Sequence, residues 1–309
     1  MTAETAALLA NSIKPSKVVF QGEPGANSHI ACNEVFPHAE AVAMATFEDC
    51  FAALEAGNAE LGMIPIENSV AGRVADIHHL LPMSSLSIIG EYFLPIHHQL
   101  MGLAGADTSS ITSVQSHVMA LGQCRKIIRK LGLLPVIGAD TAGSARQIAE
   151  RGDASVAAIA SNMAADIYGL DVLASDIEDE DHNTTRFIIL AKQALQAKAD
   201  NGPVMTSFVF RVRNVAAALY KAMGGFATNG VNMTKLESYQ LEGTFFASQF
   251  YAEIEGHLDD APVRLALEEL GFFCAELKIL GVYPASPFRA NIKEPEVNRA
   301  LRPSQPETS

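Results

Sequence analysis

In the run Asn183-Thr184-Thr185-Arg186-Phe187-Ile188-Ile189-Leu190, a hydroxyl and a guanidinium stand at the mouth of an apolar strand. Phe187 to Leu190 leave no solvent face and read as a buried strand. A planar, always-charged fork beside a small hydroxyl suits binding and protonating a small carboxylate. The plainer reading is an arginine that caps a strand in a surface ion pair. Strand neighbours point to opposite faces unless the chain bends there. Other constellations are weaker. Gly22-x-x-Gly25 with Ser28 lacks both GxGxxG and GK[ST], so a nucleotide site is not expected. The side chains of His78-His79 and of His97-His98 point apart, which argues against a shared metal. The acidic run Glu178 to Asp181 reads as a solvated loop.

These residues sit in a chain of 309, long enough for two cored domains. Apolar content is 49% and charged content 18%, ordinary for a soluble globular protein. The net charge of −13 argues against nucleic acid and against docking to an anionic membrane. It does not exclude an anionic substrate in a locally positive cleft. Four scattered cysteines without a CxxC pair fit a reduced cytoplasmic protein. No signal peptide and no membrane span are expected, since no stretch approaches about 18 consecutive apolar residues.

Residues 1 to about 15 read as a loose arm. Strands are expected at 18–20, 41–45, 61–66, 88–96, 111–114, 135–137 and 156–159. Helices alternate with them at 28–35, after Thr46, at 120–131, after Thr141 and after Ser161. That alternation implies α/β units with a mainly parallel sheet. Two lobes are expected, about 16–96 plus 184–193 and about 97–183, with the late strand Phe187 to Leu190 returning to the first. A linker over 191–201 leads to strand, helix, hairpin, helix and strand over 204–284, a βαββαβ ferredoxin-like unit with a turn at Glu242-Gly243. Residues 285–309 read as a disordered tail.

Three motifs in order resemble those of the prephenate dehydratase family. They are Ile64-Pro65-Ile66-Glu67-Asn68-Ser69, then Ser116-His117 with Ala120-Leu121 and Gln123-Cys124, then Thr185-Arg186-Phe187 after Asn183. The resemblance covers roughly Lys17 to Pro284. It implies a two-lobed catalytic domain over 16–193, of the periplasmic-binding-protein kind, with the active site in the cleft. It implies that 204–284 is an ACT domain, an amino-acid-sensing module. The family's reaction removes the ring carboxylate of prephenate as CO2 and its hydroxyl as water, giving phenylpyruvate without metal or organic cofactor. Arogenate, with an amino group for the keto group, is the alternative substrate. A non-catalytic two-lobed binding module for amino acids or carboxylates is the rival from another class.

Aromatisation drives that reaction, so the site must hold two anionic ends and stabilise the leaving oxygen. Thr185 is expected at the leaving hydroxyl and Arg186 as a carboxylate clamp. Asn68 can donate to and accept from an oxygen, while Glu67 would repel a dianion and suits orienting other groups. Ser69 could bind a carboxylate or cap a helix from Val70. Ser116 precedes a helix and could hold a carboxylate or serve as a plain cap. His117 is read as structural before catalytic, and Gln123, two turns past Ser116, can reach the cleft. Phe187 and Ser28 complete the expected substrate contacts. Where family members commonly have Pro-Gln after the histidine, this chain has Val118-Met119.

ACT domains pair side by side and bind an amino acid at the interface. The resemblance therefore implies phenylalanine as effector, at Ala218, Leu219, Asn232, Met233, Glu237 and Ser238, and a homodimer or homotetramer. Two departures bear on it. Ala217-Ala218-Leu219 replaces Gly-Ala-Leu, and Glu237-Ser238-Tyr239-Gln240 replaces Glu-Ser-Arg-Pro. The first removes room for backbone approach and the second removes a cation and a rigid turn.

Overall fold

The computed structural model describes residues 13–292 apart from Gln196, Asp200, Asn201, Asn214 and 241–246. The expected turn at Glu242-Gly243 lies outside the described residues. The first lobe runs β1 (Lys17–Gln21), α1 (Asn27–Val35), β2 (Glu40–Met44), α2 (Phe47–Ala56), β3 (Leu61–Asn68), β4 (Gly72–Arg73), α3 (Ala75–Met83) and β5 (Ser87–Pro95). Val18, Val19 and Phe20 are buried, which explains why so short a strand as β1 sits inside the sheet. Thr46 starts α2 by a capping box. Its hydroxyl accepts from Asp49 N at 3.1 Å and the Asp49 carboxylate accepts from Thr46 N at 3.2 Å. No helix runs from Val70. Val70 and Ala71 turn over the Asn68 side chain into β4, so Ser69 caps nothing.

The second lobe follows with β6 (Gln99–Leu103), β7 (Ser113–Ser116), α4 (Val118–Gln123), α5 (Arg125–Lys130), β8 (Leu134–Ile137), α6 (Thr141–Arg151), β9 (Val156–Ala160), α7 (Asn162–Tyr168) and β10 (Leu170–Ala174). Its sheet runs β10-β6-β9-β7-β8, with β6 antiparallel to β9 and β10. The single helix expected over 120–131 is two helices that break at Cys124. Asp179 drives the break by accepting from Arg125 N and Lys126 N, each at 3.0 Å. The acidic run is therefore more than a solvated loop. Asp140, not Thr141, caps α6, accepting from Gly143 N at 2.6 Å.

β11 (Thr184–Ala191) then returns to the first lobe and inserts between β3 and β5, antiparallel to both. The first sheet is thus β2-β1-β3-β11-β5, parallel at one side and antiparallel at the other.

The last unit comprises β12 (Val204–Val212), α8 (Ala218–Thr228), β13 (Met233–Gln240), β14 (Ala247–Glu255), α9 (Ala261–Phe273) and β15 (Cys274–Pro284). Its antiparallel sheet has the order β13-β14-β12-β15, the ferredoxin-like arrangement. This sheet shares a core with the first lobe: Met205, Tyr251, Leu280 and Tyr283 pack with Ile64, Ile88, Ile188 and Leu190. Gly281 permits that approach, since a Cβ there would lie 2.1 Å from the Ile88 carbonyl oxygen. The start of the expected tail is ordered. Pro287–Asn291 form a 3-10 helix, and Phe288 stacks on Phe93 with ring centroids 4.6 Å apart.

Candidate active site

A cleft of ≈ 410 Å³ opens between the two lobes. β11 supplies its floor by simple alternation. Thr185 and Phe187 line the cleft, while Arg186 between them points to the other face. Asn68, opposite Thr185 on β3, donates from Nδ2 to Thr185 Oγ1 at 3.0 Å and to Asn183 Oδ1 at 2.8 Å. Asn68 Oδ1 accepts from Val70 N and Ala71 N at 3.0 and 2.7 Å, so its side chain cannot swing. Gln123 joins from the second lobe. Its Oε1 accepts from Asn183 Nδ2 at 3.1 Å and meets His98 Nε2 at 2.8 Å. Burial lowers the His98 pKa, which keeps the ring neutral with its proton on Nε2 toward Gln123. No described protein group accepts the Thr185 proton. That hydroxyl is oriented by a donor and free to donate.

The cleft wall carries no lysine or arginine among the described residues. Anionic groups would meet helix ends instead. α1 opens onto the cleft at Asn27 and Ser28 and has no side-chain cap, so its first backbone N–H groups are available. The Gly22 to Gly25 turn closes the mouth. Gly25 has φ +90°, and a Cβ there would meet Ala164 Cα of the second lobe at 2.7 Å. Ser161 Oγ donates to the Gly25 carbonyl at 2.5 Å across the same gap. Phe47, Pro65, Ile96 and Phe187 make an apolar wall. Among the described residues Asp140 is the only carboxylate of the lining, and His117 lines it as well while capping α4 through Met119 N. A larger cavity, ≈ 670 Å³, lies beside Pro203 and Pro284–Arg289, but it lacks a comparable set of converging hydroxyl and amide groups.

Of the expected site residues, the cleft gathers Thr185, Asn68, Gln123, Phe187 and Ser28. It does not gather Arg186, Glu67, Ser116 or Ser69. Ser116 belongs to β7 and is fully buried, with its hydroxyl donated to Ile159 O at 2.6 Å. Ser69 Oγ binds His182 O and Thr184 N, tying two loops together. Arg186 is 3% exposed and faces the third sheet. Its Nη1 donates to Glu67 at 2.8 Å and to Glu253 at 2.8 and 2.9 Å, and its Nε donates to Glu91 at 2.8 Å. Arg289 also binds Glu91 and Glu253, and Lys235 pairs with Glu67. Three cations thus neutralise three carboxylates in a cluster that joins the lobe to the last unit. Burial pushes the Glu67 carboxyl up, but Arg186 and Lys235 outweigh it and hold the group at about 2. Arg186 is therefore an ion-pairing residue, in a buried cluster and not at the surface, and the clamp reading does not fit its surroundings.

Sequence reading missed His98, Asp140 and Asn183 as cleft or network residues. Asn183 carried a signal, lying two residues before Thr185 at strand period. His98 carried a weaker one, as a polar residue between Ile96 and Leu100.

The prephenate dehydratase family model matches residues 18–195. The chain belongs to that family. A bifunctional N-acyl-homoserine lactone acylase/prephenate dehydratase of Komagataeibacter europaeus is 47% identical over 88% of this chain and 97% of its own. Arogenate dehydratase/prephenate dehydratase 1 of Arabidopsis thaliana is 36% identical over 90% of this chain and 76% of its own. The crystal structure of prephenate dehydratase from Arthrobacter aurescens, in complex with L-Phe, superposes with a TM-score of 0.80 at 29% identity, covering 87% of this chain and 90% of that one.

Against that family background, the effector positions inferred for this prephenate dehydratase relative do not cluster within one chain. Register sets Met233 opposite Ile254, which in turn faces Thr206, while α8 with Ala218 and Leu219 starts beyond the far end of β12. Asn232 and Ser238 are exposed, and Glu237 pairs with Arg73 at 3.2 Å. Tyr239, where the family usually has arginine, is buried against the first lobe and hydrogen-bonds His78. The departure in sequence is a domain contact in the fold.

Proposed function

We propose that this chain converts prephenate to phenylpyruvate, CO2 and water. The carrying observation is the Thr185 hydroxyl. Its oxygen is fixed by Asn68 and no described residue accepts its proton, at the floor of a two-lobed cleft. Bound substrate would set its ring against Phe187 and Phe47 and its carboxylates at the open start of α1. Thr185 then donates a hydrogen bond to the ring hydroxyl as its C–O bond breaks, and the departing hydroxide takes a proton from solvent to become water. The ring carboxylate leaves as CO2 and its electron pair completes the aromatic ring. Stabilising the departing oxygen is the main task. Four unpaired, buried cysteines fit a reducing, cytoplasmic setting. No helix among the described residues is long and apolar enough to cross a membrane.

Asp140 favours testing arogenate alongside prephenate, because a carboxylate in the lining can pair with an ammonium group. An acylase reading follows from the name of the Komagataeibacter relative. It lacks support in the cleft: no imidazole or carboxylate among the described residues is hydrogen-bonded to Thr185 to activate it as a nucleophile. The last unit is read as an ACT domain that binds phenylalanine and joins copies of the chain. The deciding experiment incubates the protein with prephenate and with arogenate and follows phenylpyruvate absorbance and phenylalanine formation. Turnover of neither substrate overturns the reading.

A further inference from the structure

The chain crosses between the lobes twice, at residues 96–98 going out and 175–183 coming back. The crossings are bonded to each other: Ile96 N donates to Asn183 O at 2.8 Å and Ile177 N to His98 O at 2.9 Å. Three side chains from these crossings converge outside the cleft. His97 Nδ1 lies 2.9 Å from Glu178 Oε1 and 3.6 Å from Asp176 Oδ1, and the three ligand atoms all lie within 4.8 Å of one another. Each carboxylate is steadied by a further donor. His98 N holds Glu178 Oε2 at 2.9 Å, and Gln99 Nε2 holds Asp176 Oδ1 at 3.2 Å.

Tetrahedral bonds of about 2.0–2.2 Å from a metal to nitrogen and oxygen place the donors roughly 3.4 Å apart. The two His97 distances bracket that spacing. The side chains of His97 and Asp176 are 59% and 66% exposed, so an ion has an entry path. An imidazole nitrogen in the set favours Zn2+ over Mg2+ or Ca2+. The two second donors supply the outer support that metal ligands need.

We propose that His97, Asp176 and Glu178 bind a divalent first-row cation, with Zn2+ best suited, which fastens the two crossings of the hinge. The site lies outside the cleft lining, and its chemistry is separate from the dehydration.

The test needs no turnover, so it stands apart from the dehydratase reading. Isothermal titration of ZnCl2 into tag-free, chelator-stripped protein should give one Zn2+ per chain with micromolar affinity, and MgCl2 should give no heat. His97→Ala and Asp176→Asn should each weaken Zn2+ binding at least tenfold. His182→Ala, which removes an exposed histidine beside Glu180 and Asp181, should leave it unchanged. Zn2+ should raise the Tm of the wild type but not of His97→Ala. The Tm of each variant without Zn2+ shows whether it is folded; His97→Gln serves if the Ala variant is not. No binding below millimolar Zn2+, or equal binding by folded His97 and Asp176 variants, overturns the site. Loss of binding in His182→Ala alone would also overturn it.

Discussion

Thr185 has one lone pair engaged by Asn68 and a proton with no protein acceptor described. Replacing it with Ala removes that proton from the transition state and leaves the walls of the cleft. Turnover should fall about 10²–10³-fold with a small change in KM, and Ser should retain more activity than Ala. Initial rates on prephenate decide this; an Ala variant within threefold of wild type removes Thr185 from the chemistry. Arg186, next along the strand, belongs to a different problem. As a substrate clamp, its replacement by Lys would raise KM. In the ionic cluster, the loss of its fork leaves Arg289 as the one guanidinium balancing both Glu91 and Glu253 in a dry interior. Arg186→Met should cost ~3–5 kcal/mol of stability in urea unfolding. Arg186→Lys should lower the midpoint while KM stays near wild type.

At the scale of elements, β11 does two jobs because a strand has two faces. One face floors the cleft and the other carries Arg186 to the third sheet. A bulge between Arg186 and Phe187 in the pairing with β3 lets both registers hold. The loop before β11 also works structurally. Asp179 caps α5 and donates its backbone N–H to Gln123 O at 2.6 Å, fixing the end of the helix that carries Gln123. Asp179→Ala should therefore lower stability by ~1 kcal/mol. Thermal unfolding measures it, and an unchanged Tm would remove the cap from the account.

Across the whole molecule, the lobe and the last unit share buried ionisable groups. The Glu67 carboxyl is held at about 2 in the folded state. Burial, with Lys235 and Arg73 nearby, lowers His78 to about 3. Both values lie below their unfolded counterparts of about 4.3 and 6.5. The unfolded chain therefore binds more protons in between. Their contribution is fully present above pH ~6.5 and is lost as pH falls, first through the His78 window and then through that of Glu67. Tm should decline from pH 7 to pH 4, and His78→Gln should flatten the upper part of that decline; a level wild-type profile would contradict it. Phenylalanine should bind only where two copies meet, because one chain keeps Asn232 and Ala218 at opposite ends of the sheet. Equilibrium dialysis with sedimentation tests this: binding by a monomer defeats the shared-site idea, and binding without inhibition leaves the site but removes the coupling.

Local signals were enough for much of this. The alternation of apolar strands with capped helices, such as the Thr46 start of α2, determined the α/β lobes and the βαββαβ unit. Strand period placed Thr185 and Phe187 on one face, and the Asn68 and Gln123 motifs named two more cleft groups. The alternation, the caps and the strand period depend on neighbours within a turn or a strand, whereas the Asn68 and Gln123 motifs rest on their resemblance to a family. Tertiary structure alone decided the partners of Arg186, since Glu91 and Glu253 are far along the chain and nothing near Arg186 in sequence marks them. It likewise decided that Ser116 is buried in a sheet, that His98 joins the cleft network, and that Tyr239 packs on His78. A buried polar group takes its role from whichever distant donor or acceptor the fold brings to it, because leaving it unpaired is costly. Sequence periodicity reports which face a residue occupies; only the packed chain reports what that face meets.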